Sequence, residues 1–240
     1  MYSLDSYVRY SECDSDAILS TYGLVNYLQD CSIFHTETIG GGIGTLHSQG
    51  YAWYIAAWQI RIKRMPRFAE HIQVETWVPK TGGLITSRNF VLDSLGDDGQ
   101  TERLVEVDSN WFLYDLSQNQ PVHPPEEVVA PYLGEDAPAL DMPRTSMKLK
   151  LSGEVSDAPT RVIDESLLDT NKHVNNANYI EIAWEAAGLE GQPSCIEAIY
   201  RQAAVLGDVM EPKVGRDGNV VTVDLSSPDG VCFCMVRFTF

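Results

Sequence analysis

Residues 168–179 read Leu-Asp-Thr-Asn-Lys-His-Val-Asn-Asn-Ala-Asn-Tyr, and they lead directly into a segment with the periodicity of a helix. Asp169, Asn171 and His173 alternate along this stretch. An extended backbone places alternate side chains on the same side, so a carboxylate, an amide and an imidazole are expected to converge on one spot. The helix that follows is predicted over roughly residues 174–187, with Gly188 ending it.

The predicted start of that helix adds hydrogen-bond donors to the same spot. The backbone N–H groups of Val174, Asn175 and Asn176 precede the first helical acceptors, and the helix dipole is positive at this end. Such donors stabilise an oxygen that gains negative charge. A base, an orienting group and an oxyanion site together favour transfer of an acyl group to water. The simpler alternative is that the aspartate and the first asparagine only cap the helix and that the histidine is structural.

The rest of the sequence gives one order of elements twice. In the first half a helix is predicted from Ser20 or Thr21 to about Ile39, because apolar residues recur there at three- and four-residue spacing. Four strands are predicted after it, over residues 51–62, 72–78, 87–93 and 103–114. In the second half a strand near 161–163 precedes the helix, and strands follow near 195–203, 219–225 and 231–240. A long helix with antiparallel strands in each half indicates the α+β class.

This repetition predicts an internal duplication. A shift of 152 residues aligns Arg9 with Arg161 and the pair Asn26-Tyr27 with Asn178-Tyr179. We therefore expect two similar domains that form an internal pseudo-dimer, with their two sheets joined edge to edge. Seven of the twelve prolines lie between residues 121 and 159, which indicates a linker along the surface. The predicted boundaries are 1–130 for the first domain, 131–158 for the linker and 159–240 for the second domain.

Composition excludes several classes of function. A net charge of −17 argues against binding to nucleic acid and to an anionic membrane surface. No run of apolar residues approaches the length that spans a bilayer. The first residues have neither the basic start nor the apolar segment of a secretory signal, so a cytoplasmic location is expected. The histidines lack the spacing of metal ligands, and neither a metal nor a cofactor is expected.

Residues 168–179 closely resemble the signature of acyl-acyl-carrier-protein thioesterases. That family has two tandem hotdog domains, each a long helix wrapped by an antiparallel sheet. The resemblance covers almost the whole chain, because four stretches of the first half look like the family's first domain. These stretches are residues 12–14, 26–30, 53–66 and 75–77.

The resemblance implies hydrolysis of the thioester between a fatty acyl chain and acyl carrier protein. Asp169, Asn171 and His173 match the three catalytic positions of the family. One departure is clear: the family usually carries a glutamate shortly after a Tyr-Arg pair, whereas Tyr200-Arg201-Gln202 is followed here by Ala203 and Ala204. Glu197 is the first candidate to take over that role.

The first half lacks the catalytic motif, so it is predicted to hold the acyl chain. Leu24, Leu28 and Cys31 are expected to line the end of this tunnel, and Trp53 to lie on its wall. A second surface is predicted for the acidic carrier protein, at the one basic cluster of the chain. This cluster comprises Arg61, Lys63, Arg64 and Arg67.

Two other functions stay open at this point. The absence of a carboxylate at Ala203 is compatible with a non-catalytic protein that binds or senses acyl thioesters. The fold is also compatible with a dehydratase of hydroxyacyl thioesters, which would form an enoyl product. The alternation of Asp, Asn and His suits attack of water on a carbonyl better than removal of water.

Overall fold

The computed structural model describes residues 1–80, 83–96, 99–132 and 137–240. In the first half a strand precedes the long helix. A short helix, four long strands, a short strand and a second short helix follow it in the described residues. These elements are β1 (Tyr2–Tyr7), α1 (Thr21–Thr38), α2 (Ile43–Ser48), β2 (Tyr51–Ile62), β3 (His71–Lys80), β4 (Thr86–Leu95), β5 (Thr101–Asp115), β6 (Gln120–Val122) and α3 (Glu126–Val129).

The second half contains one long helix and six strands within the described residues. These elements are β7 (Glu154–Asp157), β8 (Arg161–Val162), α4 (Asn176–Ala186), β9 (Cys195–Tyr200), β10 (Val209–Asp217), β11 (Val220–Ser226) and β12 (Cys232–Thr239). The sequence prediction missed β1, α2, β6, α3, β7 and β10. Strand β10 contains Pro212 and Gly215, which are depleted in strands and mask its pattern.

The strands of the described residues form one antiparallel sheet, which confirms the predicted α+β class and the edge-to-edge junction. Its order is β1-β3-β4-β5-β2-β9-β12-β11-β10-β7, with β6 beside β5 and β8 beside β10. The junction is the pair β2 and β9, where Trp58 lies opposite Ala198 and Arg61 opposite Cys195. Both long helices pack on one face of this sheet, and the main core lies between them and the strands.

Both long helices begin with a side-chain cap. The Ser20 side chain accepts a hydrogen bond from the Gly23 N–H, and the Asn175 side chain accepts one from the Ala177 N–H. Each cap satisfies a backbone donor that the helix leaves unpaired. Helix α1 ends at Thr38, close to the predicted end, and α4 begins two residues later than predicted.

The duplication is visible in the loops before the two helices, but its offset is 155 residues and not 152. The Asp14 N–H donates to Ile18 O at 2.8 Å, and the Asp169 N–H donates to His173 O at 2.7 Å. At this offset Gly23 is the equivalent of Asn178. A side chain does not fit at Gly23, since its Cβ would lie 2.8 Å from Glu12 O. The predicted offset was wrong by three residues, which is nearly one helical turn and leaves the apolar face unchanged.

The proline-rich segment crosses the face of the sheet opposite the helices. Thr145 Oγ1 donates to Asp108 O at 2.7 Å, and Leu149 packs on Ala57 and Ile199 over the β2–β9 junction. The end of the predicted linker is a strand, since Asp157 of β7 lies opposite Lys213 of β10. The segment thus covers the β2–β9 junction on one face of the sheet and leaves the face that carries the helices uncovered.

Candidate functional site

The loop from Asp169 to His173 is a closed turn and not the extended segment that the sequence predicted. Asp169 Oδ1 accepts the N–H groups of Asn171 at 2.8 Å and His173 at 3.2 Å. Lys172 completes the turn with a φ of 61°, in the left-handed region. Asp169, Asn171 and His173 nevertheless line one cavity, so the predicted convergence occurs by a different backbone route.

The same loop exists in the first half without the histidine. Asp14 Oδ1 accepts the N–H groups of Asp16 at 2.9 Å and Ile18 at 3.0 Å, and Ala17 has a φ of 58°. Ile18 therefore stands where His173 stands in the second half. Because the carboxylate holds this turn in both halves, the observed contacts of Asp169 are those of a positioning group.

The loop forms one wall of a cavity of about 900 Å³. His173 is half-buried, and its ring lies 6.4 Å from that of Tyr54 on β2. Burial raises the pKa of Tyr54, and the nearby carboxylate of Asp169 raises it further. From this end the cavity continues between α1 and the first-half strands, where Trp53, Trp111 and Tyr132 line it.

Two of the three predicted oxyanion donors are already in use. The Val174 N–H donates to Ala204 O, and the Asn175 N–H donates to Leu167 O, both at 2.9 Å. Among the described residues, the Asn176 N–H has no acceptor. These two predicted roles were wrong because the segment before the helix pairs with its neighbours. Asn176, which lines the cavity, is the predicted donor that remains.

The N-terminus of α4 is held by hydrogen bonds to residues of both halves. Tyr200 Oη donates to Asn176 O at 3.0 Å, and Asn176 Nδ2 donates to Gln29 Oε1 on α1 at 3.0 Å. The Ala204 N–H donates to Tyr179 Oη at 2.8 Å. Helix α1 therefore helps to hold the N-terminus of α4 in place.

Glu197 cannot replace the carboxylate that is absent at Ala203. Its neighbour Ala198 faces the helical core, so Glu197 points to the opposite side of β9, where it pairs with Arg237 at 3.3 Å. Ala203 itself lines the cavity. Among the described residues, the carboxylates on the cavity wall are Asp169 and Asp30. Burial raises the pKa of Asp30 above its ordinary value.

Three of the four predicted chain-binding residues lie elsewhere. Leu24, Leu28 and Cys31 are fully buried in the core and are not among the cavity-lining residues, whereas Trp53 is. The prediction chose the most apolar stripe of α1, and that stripe packs on the sheet. The cavity instead meets a neighbouring, more polar stripe of α1, namely Gln29, Asp30, Ser32, Ile33 and Thr36.

The basic cluster lies away from the cavity. Arg64 is paired with Glu70 at 2.7 Å and Glu102 at 2.6 Å, so its charge is balanced locally. Arg61 stands seven residues beyond Tyr54 on β2, which corresponds to roughly 23 Å along the strand. The structure thus gives this cluster no direct relation to the loop at His173.

No group of His, Cys, Asp and Glu in the described parts of the chain has the arrangement of a metal site. None of the helices in those parts combines the length and the apolar character that crossing a membrane requires.

The family models and the curated relatives that match this chain agree on one family. The model of the acyl-ACP thioesterase N-terminal domain matches residues 1–132, and that of the C-terminal domain matches residues 148–221. A chloroplastic acyl-[acyl-carrier-protein] hydrolase from Cuphea viscosissima is 26% identical over 88% of this chain and 54% of its own length. A palmitoyl-acyl carrier protein thioesterase from Arabidopsis thaliana is 27% identical over 75% of this chain and 45% of its own length. The chain thus spans about half the length of these curated relatives.

Solved structures show the same fold over nearly the whole chain. An acyl-ACP thioesterase from Bacteroides thetaiotaomicron superposes with a TM-score of 0.84 at 22% identity, covering 99% of this chain and 96% of its own. A 12:0-ACP thioesterase from Umbellularia californica superposes with a TM-score of 0.81 at 18% identity, again over 99% and 96% of the two chains. These likenesses establish the tandem hotdog architecture.

Proposed function

Because the chain belongs to the acyl-acyl-carrier-protein thioesterase family, we propose that it hydrolyses fatty acyl-acyl-carrier-protein thioesters to free fatty acid and carrier protein. The observation that carries the proposal is the position of the loop at His173. It places an imidazole, an amide and an unused backbone N–H at one end of a cavity of about 900 Å³. A cavity of this size suits a medium-sized organic ligand.

In the proposed reaction His173 is the general base. Its imidazole takes a proton from a water molecule, and the water oxygen attacks the thioester carbonyl carbon. The carbonyl oxygen becomes an oxyanion, which accepts hydrogen bonds from the Asn176 N–H and the Asn171 amide. When the intermediate collapses, the C–S bond breaks and the imidazolium returns the proton to the departing sulfur. Asp169 holds the turn that presents these groups.

The acyl chain is proposed to lie in the first-half part of the cavity, between α1 and the sheet. Ile33, Trp53 and Trp111 would contact it there. For the carrier protein, the exposed cations nearest the loop are Lys172 and Arg201. An acidic carrier that delivers its thioester to His173 would meet these two side chains before the cluster at residues 61–67.

The test is release of free thiol and free acid from acyl-acyl-carrier-protein. The wild type should release both in equal amounts, and His173→Ala should slow the release by about 10²-fold or more while its melting temperature stays the same. In a parallel assay with a hydroxyacyl-acyl-carrier-protein, loss of water to an enoyl thioester in place of release of thiol and acid would identify a dehydratase. Asn119→Ala, at another position on the cavity wall, is the control for general damage to the cavity.

A binding or sensing protein is the second candidate, and Ala203 is the observation that favours it. Such a protein would retain the acyl-acyl-carrier-protein without releasing thiol. Measuring affinity and turnover on the same preparation separates the two functions, because tight binding with no thiol release excludes the hydrolase.

A further inference from the structure

Strand β2 has an open edge near the loop at His173. Within the described residues β9 pairs with Ala57–Arg61 of β2, whereas Tyr51–Ile55 pair with β5 alone. A bulge separates these two stretches of β2. Bulges re-aim side chains and are frequent beside active sites. The consecutive residues 52–55 all line the cavity, although successive side chains of a strand point to opposite faces. The cavity therefore wraps around this open edge.

Tyr54 is the residue of this edge that lies beside His173. The centroids of the two rings are 6.4 Å apart. Phe112 and Tyr114 of β5 pack against the phenol ring, with centroid distances of 6.0 and 5.5 Å. The ring of Tyr54 is thus held by aromatic neighbours at the end of the cavity where the loop lies.

The hydroxyl group of Tyr54 is not used by the fold. Tyr54 Oη forms no hydrogen bond with the described residues, and it is not one of the polar atoms that are fully buried without a partner. The oxygen therefore has accessible surface, and Tyr54 lines the cavity. Its neighbour Tyr114 differs, because that hydroxyl donates to Asn119 Oδ1 at 2.9 Å. A molecule at this end of the cavity can thus reach the Tyr54 hydroxyl.

The chemistry of this hydroxyl is that of a hydrogen-bond donor. Burial raises the pKa of Tyr54, and the carboxylate of Asp169 raises it further, so the phenol keeps its proton at neutral pH. A protonated phenol does not compete with His173 for the role of base. It suits an oxygen that gains negative charge, as does the Asn176 N–H at the start of α4 on the same cavity wall.

We propose that Tyr54 is a further catalytic residue, whose hydroxyl donates a hydrogen bond to the carbonyl oxygen of the thioester. The inference rests on the proposed function and adds one group to its mechanism. The phenol keeps its proton throughout, so no covalent bond of Tyr54 forms or breaks. The hydrogen bond strengthens as the carbonyl oxygen becomes negatively charged, and this difference between ground state and transition state lowers the barrier.

The first experiment removes only the hydroxyl. Tyr54→Phe keeps the ring beside His173, and it should lower kcat for acyl-acyl-carrier-protein by about 10²-fold with little change in KM. Tyr114→Phe is the matched control, because it removes the neighbouring hydroxyl from the same cavity wall. It should leave kcat unchanged. A kcat that is unchanged in Tyr54→Phe overturns the inference, as does an equal loss in both variants.

A second measurement does not depend on turnover. A ketone analogue of acyl-pantetheine has a methylene group in place of the thioester sulfur, so it cannot be hydrolysed. A hydrogen bond lowers the stretching frequency of a carbonyl group. With an isotope-labelled carbonyl, infrared difference spectra of the bound analogue should therefore show a higher frequency in Tyr54→Phe than in the wild type. The same frequency in both proteins overturns the inference.

Failure of the proposed function is recognised separately. If the wild type hydrolyses no thioester, the infrared comparison still decides whether Tyr54 binds the carbonyl oxygen. If melting curves show that Tyr54→Phe has lost its fold, a fluorinated tyrosine in place of Tyr54 provides the comparison. It keeps the ring and the hydroxyl but has a lower phenol pKa, so kcat should begin to fall at a lower pH than in the wild type. An unchanged pH profile then overturns the inference.

Discussion

Asn176 at the start of α4 donates a hydrogen bond of 3.0 Å to Gln29, which lies 147 residues earlier on α1. This contact joins the helix that carries the proposed oxyanion donor to the helix that borders the proposed chain-binding region. The two halves therefore share one site, and the position of the Asn176 N–H depends on a residue of the first half.

The first prediction concerns that contact. Gln29→Ala leaves the half-buried Asn176 amide without its acceptor, which should cost about 1–3 kcal/mol of stability. It should also lower kcat more than it raises KM, because the oxyanion donor loses its support. Steady-state kinetics and thermal unfolding measure the two effects. Gln49→Ala, an exposed glutamine, is the matched control. An unchanged kcat in Gln29→Ala would show that α1 does not position the donor.

The second prediction uses the internal duplication as a control. His173→Ala should lose roughly 10²- to 10⁴-fold in kcat without unfolding. Asp169→Asn should lose activity and also stability, because its carboxylate accepts the N–H groups of Asn171 and His173. Asp14→Asn removes the same acceptor from the equivalent loop of the first half. It should lower the melting temperature by a similar amount and leave kcat unchanged.

The comparison decides the role of Asp169. If Asp169→Asn and Asp14→Asn lose equal stability and only the former loses activity, the carboxylate acts by holding the loop at the catalytic end. If His173→Ala retains full turnover, the proposed mechanism is wrong whatever the behaviour of the two aspartates.

The third prediction concerns the carboxylate absent at Ala203. Asp30 lines the cavity, and burial raises its pKa. A carboxyl group with a raised folded-state pKa binds protons more tightly in the native state, so this contribution to stability is present at low pH. It is lost as the pH rises through the interval between the unfolded value, about 3.9, and the raised folded value. Asp30→Asn should therefore be more stable than the wild type at neutral pH, and the difference should vanish in acid.

Activity tests whether Asp30 assists the reaction. If Asp30 supplies the missing carboxylate, Asp30→Asn should lower kcat. Ala203→Glu in that background should then restore part of the activity. If Asp30→Asn keeps its kcat at all pH values, Asp30 affects stability only, and the reaction proceeds without a second carboxylate.

The sequence was sufficient for the elements with a strong period and for the position of the loop at His173, though not for its backbone conformation, because the former depend on local patterns. Helix α1, the four long strands after it and the edge-to-edge junction of the two sheets follow from apolar periodicity and from the repeated element order, whereas the choice of β2 and β9 for that junction does not. The resemblance at residues 168–179 identified the loop. The state of the backbone donors could not be predicted, since the Val174 N–H finds its acceptor at Ala204, thirty residues later.

The residues that line the proposed acyl-chain region of the cavity could not be predicted from the sequence either. An apolar stripe on α1 predicts that Leu24 and Leu28 face apolar surroundings, and it does not distinguish a packed core from an empty cavity. Only the tertiary structure shows that Leu24 and Leu28 pack in the core and that Ile33 and Thr36 border the cavity.

The last prediction follows from this correction and concerns chain length. Ile33 is half-buried on the cavity wall, so Ile33→Trp should shorten the available space and shift the preferred acyl chain to fewer carbons. One methylene is worth about 1–3 kcal/mol in selectivity, so the shift should be clear in kcat/KM across a length series. Leu28→Trp, five residues earlier on the same helix, is the matched variant because Leu28 is fully buried in the core. Overpacking there should cost about 1–3 kcal/mol of stability and leave the length profile of the surviving activity unchanged. A profile that moves in Leu28→Trp and stays fixed in Ile33→Trp would place the acyl chain on the other side of α1.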